Sequence, residues 1–286
     1  MNRGKFVLAD AVSTVNGMVR RPNAPTLGTR VMMYHDVNED NRVDDIYSVP
    51  LTSFSRGVSA VAAWAKEHRH RFVAFSAACT PGIAVTFDDG YSSTLRLAAP
   101  VFASHAIPFH VFVTKAYVES GNPLYLSPRD VRELVAFPGA TVGLHGASHT
   151  KFSELDDASL RRELEESRDW LQQLTGRLID TLSYPHGDFS PRVGAVVAQC
   201  GITAAACSNV GTFSDSAQSL SIPRVDLWSH DSPRTTVAKV RGDWDLLLRF
   251  AAGTMTFPAQ FMLVAAMNPT PDGKMPHESK SSPREI

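Results

Sequence analysis

Short apolar runs alternate with amphipathic stretches along most of this chain. The apolar runs end in polar residues, as buried strands of a parallel sheet do, and they cover residues 30–37, 83–87, 109–113, 140–144, 178–184, 202–207 and 219–227. Between the runs, apolar residues recur near the helical period, which predicts helices at residues 54–68, 92–105, 127–136, 156–174, 191–199 and 235–250. The pattern is therefore strand, helix, strand, repeated along the chain.

Repeated strand–helix units predict a parallel sheet covered by helices. About seven such units favour a barrel over an open sheet, because polar clusters repeatedly follow the predicted strand ends. In such barrels the chemistry gathers at the carboxyl ends of the strands. The sequence contains no Gly-rich phosphate loop and no dinucleotide fingerprint.

Composition and charge narrow the class of partner. The chain has 286 residues and a formal net charge of −1, which indicates no field-driven attraction to nucleic acid or anionic lipid. Its apolar fraction of 43% is enough for a sizeable core. The three cysteines form no Cys-x-x-Cys pair, and the first ten residues lack the apolar segment of a secretory signal. We therefore expect a cytoplasmic protein.

The C-terminal part of the sequence differs from the rest. Residues 250–267 are apolar, but Gly253 and Pro258 interrupt them, and no unbroken run reaches the ~20 residues that span a bilayer. We expect a packing element and no transmembrane segment, with peripheral membrane contact as the alternative. The predicted organisation is an N-terminal extension (1–29), one domain (30–267) and a disordered tail (268–286) rich in Pro, Ser, Lys and Glu.

Predicted strand ends carry side chains suited to metal chemistry. Asp88 and Asp89 follow one strand, and His145 and His149 follow another. The histidine spacing would place both imidazoles on one side of a helical turn. Each signal alone has an ordinary explanation, a turn or a solvated helix face. A carboxylate with two histidines, however, is a usual ligand set for Zn²⁺ or a similar divalent ion, so their joint occurrence predicts a metal site.

The order of the motifs resembles that of the polysaccharide deacetylases, the NodB-like domains of carbohydrate esterase family four. The similar segments are Thr-Phe-Asp-Asp-Gly at 86–90, His-x-x-x-His at 145–149 and Tyr-Pro-x-Gly at 184–187, preceded by Tyr-His-Asp-Val at 34–37. The resemblance extends to about residue 250. It implies an α/β fold, an incomplete or distorted (β/α)₇ barrel, and hydrolysis of a linear amide, the N-acetyl group of a sugar.

The resemblance also implies roles at the metal site. Asp89, His145 and His149 would bind the metal, with Zn²⁺ expected and Co²⁺, Ni²⁺ or Mn²⁺ as alternatives. The metal would polarise the acetyl carbonyl and acidify a water, from which Asp88 would take a proton as general base. Because neighbouring side chains of a strand point to opposite faces, one carboxylate could face the metal while the other approaches the water.

Further residues of the matched segments would contact the substrate. A backbone N–H near His186 would help to hold the oxyanion, and Tyr184 and Gly187 belong to the same motif. Tyr91 and Tyr125 lie near the predicted site loops, so either could contact a sugar ring.

One departure from the family pattern concerns the residue that orients the base. Many relatives carry an arginine just before the aromatic-Pro segment, where this chain has Ser183. Some relatives that lack it have an Ile-Pro-Arg segment on a late strand, as this chain has at 222–224. We therefore expect Arg224 to reach Asp88 and to keep its carboxylate ionised, although a structural arginine is the alternative.

A second departure concerns the general acid. The family's late Leu-x-x-His motif is matched only by the segment from Leu227 to His230, so His230 is the candidate acid, with a loop histidine as the alternative. His186 is a second candidate. His35 ends the first predicted strand and is interpreted as a packed strand-end histidine.

These features predict a metal-dependent deacetylase acting on a bacterial surface glycan or its precursor, such as O-antigen, capsule or exopolysaccharide. An expected cytoplasmic location favours a precursor, either lipid-linked, nucleotide-linked or a nascent chain. The alternatives are a catalytically silent glycan-binding module on the same barrel, a metal-dependent hydrolase of a non-sugar amide, and an esterase that removes O-acetyl groups. The sequence does not indicate the sugar or the oligomeric state.

Overall fold

The computed structural model describes residues 28–39 and 45–251, with side chains as far as Arg249. Among the described residues, the sheet and the candidate site both lie in the compact unit that ends at Leu248. The predicted tail (268–286), nearly all of the predicted extension (1–29) and the apolar stretch beyond residue 251 lie outside the described residues.

A parallel sheet forms the centre of the described chain. The strands are β1 (Thr29–Tyr34), β2 (Asp36–Asn38), β3 (Ser48–Pro50), β4 (Gly82–Phe87), β5 (Phe109–Val113), β6 (Ala140–Leu144), β7 (Thr181–Ser183), β8 (Ala204–Ala206) and β9 (Val225–Asp226). Seven of them form one sheet in the order β8-β7-β6-β5-β4-β1-β9, and every pairing in it is parallel. β2 and β3 form a separate parallel pair.

Helices lie between the strands, as the alternating pattern predicts. They are α1 (Leu51–Glu67), α2 (Ala99–Ser104), α3 (Lys115–Glu119), α4 (Pro128–Ala136), α5 (Asp157–Thr175), α6 (Pro191–Gln199), α7 (Pro233–Arg241) and α8 (Asp245–Ala251). A π-helical turn (Thr94–Ala98) precedes α2, and short 3₁₀ turns occupy Phe152–Glu154, Pro185–Gly187 and Ser216–Gln218. Within the described part of the chain no helix is both long and apolar enough to cross a membrane.

The sheet curls into an incomplete barrel, which confirms the predicted fold class. The segment that leads from β8 into β9 contacts both sides of the opening: the Ile222 N–H donates to the Ala205 carbonyl of β8 at 2.8 Å, and directly after β9 the Leu227 N–H donates to the Met33 carbonyl of β1 at 3.0 Å. The predicted strand at 219–227 is thereby reduced to Val225–Asp226. Pro223 has no N–H to donate, and a segment that crosses from one edge to the other cannot form a long ladder with either.

The central strands are buried on both faces, which explains their continuous apolar sequences. Every residue of β1, β4 and β5 is buried. Aromatic rings pack below the carboxyl ends of β1 and β4, where the Phe87 ring centroid is 5.4 Å from that of Tyr34 and 5.9 Å from that of Phe102. This packing gives the loops that follow the two strands a rigid base.

The prediction of one helix at residues 235–250 is wrong, because the chain forms two helices there, α7 and α8. Gly242 adopts a left-handed conformation (φ 85°) and ends α7. The N–H groups of Gly242 and Asp243 donate to the carbonyls of Lys239 and Ala238 at 3.0 and 2.9 Å, so they satisfy the last carbonyls of the helix. The apolar period continues across this break, which is why the pattern alone predicts one helix.

The capping box of α4 offers a test of local sequence signals. Ser127 Oγ accepts from the Asp130 N–H at 3.2 Å, and an Asp130 carboxylate oxygen accepts from the Ser127 N–H at 2.9 Å. We expect Ser127→Ala to lower the free energy of unfolding by about 1 kcal/mol in urea denaturation. Glu133→Ala, at an exposed position of the same helix, should change it by less than about 0.5 kcal/mol. Equal effects would contradict the capping role.

Candidate active site

A cavity of about 330 Å³ opens at the carboxyl ends of the strands. This volume lies at the small end of the range for ligand pockets. Its lining comes from β1, β9 and the loops that follow the strands, and it consists of Met33, His35, Tyr47, Asp88, Asp89, His145, His149, His186, Gly187, Ser208 and Asp226. The three motifs of the sequence therefore meet in one place.

Asp88 and Asp89 diverge because the chain turns between them. β4 ends at Phe87, and Asp89 has a left-handed backbone conformation (φ 70°), followed by Gly90 (φ 79°). The Gly90 N–H donates to the Asp88 carbonyl at 2.9 Å, which closes the turn. The alternation of side chains along a strand, expected from the sequence, is therefore not what separates the two carboxylates. Aspartate tolerates this conformation better than most residues do.

Asp89, His145 and His149 bring their ligand atoms together. Asp89 Oδ1 lies 3.3 Å from His145 Nε2 and 3.1 Å from His149 Nε2, and the three ligand atoms all lie within 4.8 Å of one another. The helical turn expected from the histidine spacing is absent. Residues 145–149 form a loop in which Gly146 (φ 78°) and His149 (φ 65°) are left-handed, so the loop brings the two rings to one side.

The donor atoms of this cluster fit a divalent cation. His145 Nδ1 donates to the Ser183 carbonyl at 2.8 Å, since a carbonyl only accepts. In the neutral imidazole this leaves Nε2 with a lone pair directed towards Asp89. Asp89 Oδ1 is buried and accepts no hydrogen bond in the described structure. Two imidazole nitrogens and one carboxylate oxygen match the preferences of Zn²⁺ and related ions.

The contact expected between Arg224 and Asp88 is present. The guanidinium binds the carboxylate through two hydrogen bonds, Nη1 to Oδ1 at 2.7 Å and Nη2 to Oδ2 at 2.8 Å. Ser183 Oγ donates to Asp88 Oδ2 at 3.0 Å and accepts from Arg224 Nη2 at 2.9 Å. A larger side chain at 183 would occupy this space, so the serine and the late arginine fit together.

The ion pair keeps Asp88 ionised in a buried site. Burial alone would raise the pKa of Asp88, but the charges of Arg224 and His145 and the Arg224 hydrogen bonds outweigh it and lower this pKa to about 2. Asp88 is 3% exposed and Arg224 is 1% exposed, so water screens the attraction weakly.

His35 and Asp226 form a further side of the cavity. His35 is half-buried, and its ring centroid lies 4.7 Å from that of Tyr47. Burial raises the pKa of Asp226, while the charges of His35 and Arg224 act in the opposite direction. Sequence reasoning missed Asp226 and interpreted His35 as a packing residue. Asp226 stands two residues after Arg224, so alternation along a strand places both on one face, and this signal could have found it.

Other predicted site residues occupy different surroundings. His230 is exposed and does not line the cavity. Tyr184 is fully buried, and its hydroxyl donates to the Leu220 carbonyl at 2.8 Å, so it supports the loop and does not reach a substrate in this cavity. Tyr91 does not line the cavity either, and its ring packs 5.1 Å from that of Tyr125.

The Pro185–Gly187 turn does line the cavity through His186 and Gly187. His186 is left-handed (φ 59°), and its backbone N–H has no acceptor among the described residues. An N–H without an intramolecular acceptor remains available to a bound oxygen atom.

Solved structures of low sequence identity share this architecture. The Streptococcus pyogenes deacetylase PplD, solved with acetate, aligns with a TM-score of 0.66 at 17% identity over 76% of this chain and 99% of its own. BC0361, a polysaccharide deacetylase from Bacillus cereus, gives 0.64 at 19% identity over 74% and 69%. IcaB from Ammonifex degensii gives 0.62 at 23% identity over 75% and 97%. At these identities the likeness shows a common fold.

A similarity to a protein family is present in the sequence itself. Residues 77–205 match the family model described as polysaccharide deacetylase. Residues 243–285 match a second model, magnesium chelatase subunit ChlI. No curated protein matches the chain. The resemblance found in the motifs is confirmed: over residues 77–205 the chain is similar to the polysaccharide deacetylases, and its fold is shared with solved deacetylase structures.

Arg224→Met should shift the pH dependence of the site. Without the guanidinium, only the charges of His145 and His35 oppose the effect of burial on the pKa of Asp88, so the acidic limb of the kcat/KM–pH profile should move to higher pH. Asp88 has a lowered pKa in the folded protein, so its pair stabilises the fold above about pH 4 and is lost as the pH falls towards 2. At neutral pH the variant should lose roughly 3–5 kcal/mol of unfolding free energy.

Arg56→Met removes an exposed arginine of α1 and serves as the control. An acidic limb that stays in place in Arg224→Met would contradict the role assigned to the ion pair.

Proposed function

We propose that the protein is a metal-dependent deacetylase that hydrolyses the N-acetyl group of a sugar in a bacterial surface glycan or its precursor. One observation carries the proposal: a carboxylate kept ionised by a buried arginine stands beside three converging metal-ligand atoms at the same cavity. Hydrolysis of an unactivated amide needs a nucleophile, a base to receive its proton and stabilisation of an oxyanion. The cavity offers groups for each of these.

Asp89, His145 and His149 would hold the metal, with Zn²⁺ the first candidate and Co²⁺, Ni²⁺ or Mn²⁺ the alternatives. A cation bound there would supply Lewis acidity towards a carbonyl oxygen and would acidify a water. His145 is buried and oriented by the Ser183 carbonyl, so its Nε2 is already directed into the site.

Asp88 would receive the proton of the attacking water on Oδ1. Oδ2 accepts hydrogen bonds from both Arg224 and Ser183, whereas Oδ1 accepts one, from Arg224. Oδ1 therefore retains a free lone pair. Because the pKa of Asp88 is lowered to about 2, it is a weak base that is fully ionised at any working pH. Asp88 therefore contributes its position and its negative charge, and the attacking water must itself be acidic enough to give up the proton.

The His186 N–H would stabilise the oxyanion that forms on the acetyl oxygen. The residue lines the cavity, and this N–H has no other acceptor in the described chain. A fixed backbone donor loses no conformational freedom in the transition state, which favours electrostatic stabilisation.

His35 fits the role of proton donor to the leaving nitrogen better than His230 does. His35 lines the cavity, and its charge acts on both Asp88 and Asp226, whereas His230 is exposed outside it. Asp226 lies beside His35 and has a buried oxygen, Oδ1, without a hydrogen-bond partner in the described structure. The carboxyl group could orient the imidazole during proton transfer.

A cytoplasmic location belongs to the same proposal. Cys79, Cys200 and Cys207 are free thiols in the structure, and free thiols are common in reducing compartments. In that compartment the substrate would be a lipid-linked, nucleotide-linked or nascent glycan, met before export.

Acetate release tests the function. Wild-type protein should release acetate from at least one member of a panel of N-acetylated sugars and glycans, and a chelator followed by Zn²⁺ should abolish and restore this. Asp88→Asn keeps the shape but removes the base, so its rate should fall on the order of 100-fold or more.

Other outcomes identify the alternatives. Glycan binding without acetate release under any divalent metal would favour the binding module. Release from acetyl esters alone would indicate an esterase, and activity only on non-sugar amides would favour the third alternative.

Two histidine variants test the proton donor. His35→Gln should lower kcat on a sugar amide on the order of 100-fold, because an amide nitrogen leaves poorly without a proton. It should lower kcat less on an activated aryl acetate, whose leaving group needs no proton. His230→Gln should leave both rates close to wild type, and a large loss there would return the role to His230.

A further inference from the structure

The loop that carries His149 depends on contacts from outside itself. It follows β6 and contains two left-handed residues, Gly146 (φ 78°) and His149 (φ 65°). A histidine in this conformation is unfavourable and persists only where the surroundings hold it. The position of a metal ligand is therefore set by whatever fixes this loop.

The first part of the loop is fixed by α3. The N–H groups of Lys115 and Ala116 donate to the carbonyls of Gly146 and Ala147 at 3.3 and 2.8 Å. These bonds end before residue 148, so they do not constrain the residue next to His149.

In the second part of the loop, His186 Nε2 lies 3.3 Å from the His149 carbonyl oxygen. The neighbouring residue, Ser148, is held by another side chain, Glu163 of α5. Its Oε1 accepts from the Ser148 N–H at 2.6 Å and from Ser148 Oγ at 2.9 Å. Ser148 Oγ also lies 2.8 Å from Thr150 Oγ1, so the carboxylate is linked to both neighbours of His149. Buried Leu160 and Leu164 anchor α5 on either side of Glu163, which gives the carboxylate a rigid base.

The fit between Glu163 and the loop is close. A Cβ atom on Gly146 would lie 3.1 Å from Glu163 Oε1, tighter than an ordinary contact. Glycine at position 146 thus permits both the left-handed backbone conformation and the close approach of the Glu163 carboxylate. Glu163 is half-exposed, so its value for folding stability is small, whereas its effect on the orientation of the loop is direct.

We propose that Glu163 is a positioning residue for the metal site, acting through Ser148 to hold His149 in its ligating position. The proposal rests on the metal site of the proposed function. Groups that orient metal ligands in other proteins change metal affinity by about 10–100-fold when they are removed.

The test is the affinity of metal-free, full-length protein for Co²⁺, followed by the visible absorption of the bound ion. Glu163→Ala should bind Co²⁺ at least about tenfold more weakly than wild type, with a weaker or shifted absorption band. Glu163→Gln keeps an acceptor oxygen and should stay within about threefold of wild type. Glu165→Ala, on the same helix, is the matched control and should bind Co²⁺ as wild type does. Asp89→Ala shows how far Co²⁺ affinity falls when a ligand is missing altogether.

Two results would overturn the proposal. Co²⁺ affinity of Glu163→Ala within about threefold of wild type would show that the loop does not need the carboxylate. Equal weakening by Glu163→Gln would show that the acceptor oxygen is not what matters. Should Glu163→Ala fail to fold, Glu163→Asp, whose carboxylate is one methylene shorter, carries the same expectation. If the Co²⁺ affinities follow the expected order but no acetate is released, the proposed function is overturned and the positioning role of Glu163 stands.

Discussion

The attraction between Asp88 and Arg224 is the interaction on which most of this structure depends. Both charges are removed from water, and burying either one without the other would cost free energy. Asp88 follows the central strand β4, whereas Arg224 belongs to the segment that crosses between the two edges of the sheet. The contact that keeps a carboxylate ionised therefore also ties the open side of the barrel to its middle. Function and closure of the fold share one ion pair.

A second buried cation, Lys239, holds β9, the strand that begins directly after Arg224 and contains Asp226. Lys239 of α7 is fully buried, donates to the Asp226 carbonyl at 3.1 Å and to the Asp231 carboxylate at 2.6 Å, and lies 3.7 Å from the centre of the Trp228 ring. Burial lowers the pKa of Lys239, while Asp231 opposes this. The helix after β9 thus fixes the backbone of a short strand whose own ladder is small, and the cavity gains a stable wall.

Local patterns predicted the parts of this protein that depend on neighbours in sequence. The alternating strands and helices and the three strand-end motifs are all visible in the chain. What the sequence could not give depends on contacts between distant residues. The left-handed turns at Asp89 and His149, the exposure of His230 and the burial of Tyr184 are set by the packing around them. Arg224 was found through family resemblance, whereas Asp226 and Ser183 acquire meaning only beside it.

Ser183 connects the two chemical halves of the cavity. Its carbonyl accepts from metal-ligand candidate His145, and its hydroxyl donates to Asp88, so one residue at the end of β7 touches both. A displacement of this strand end would carry the ligand and the base in the same direction. The distance between His145 and Asp88 should therefore change little when the barrel flexes, even where such motions change the width of the cavity.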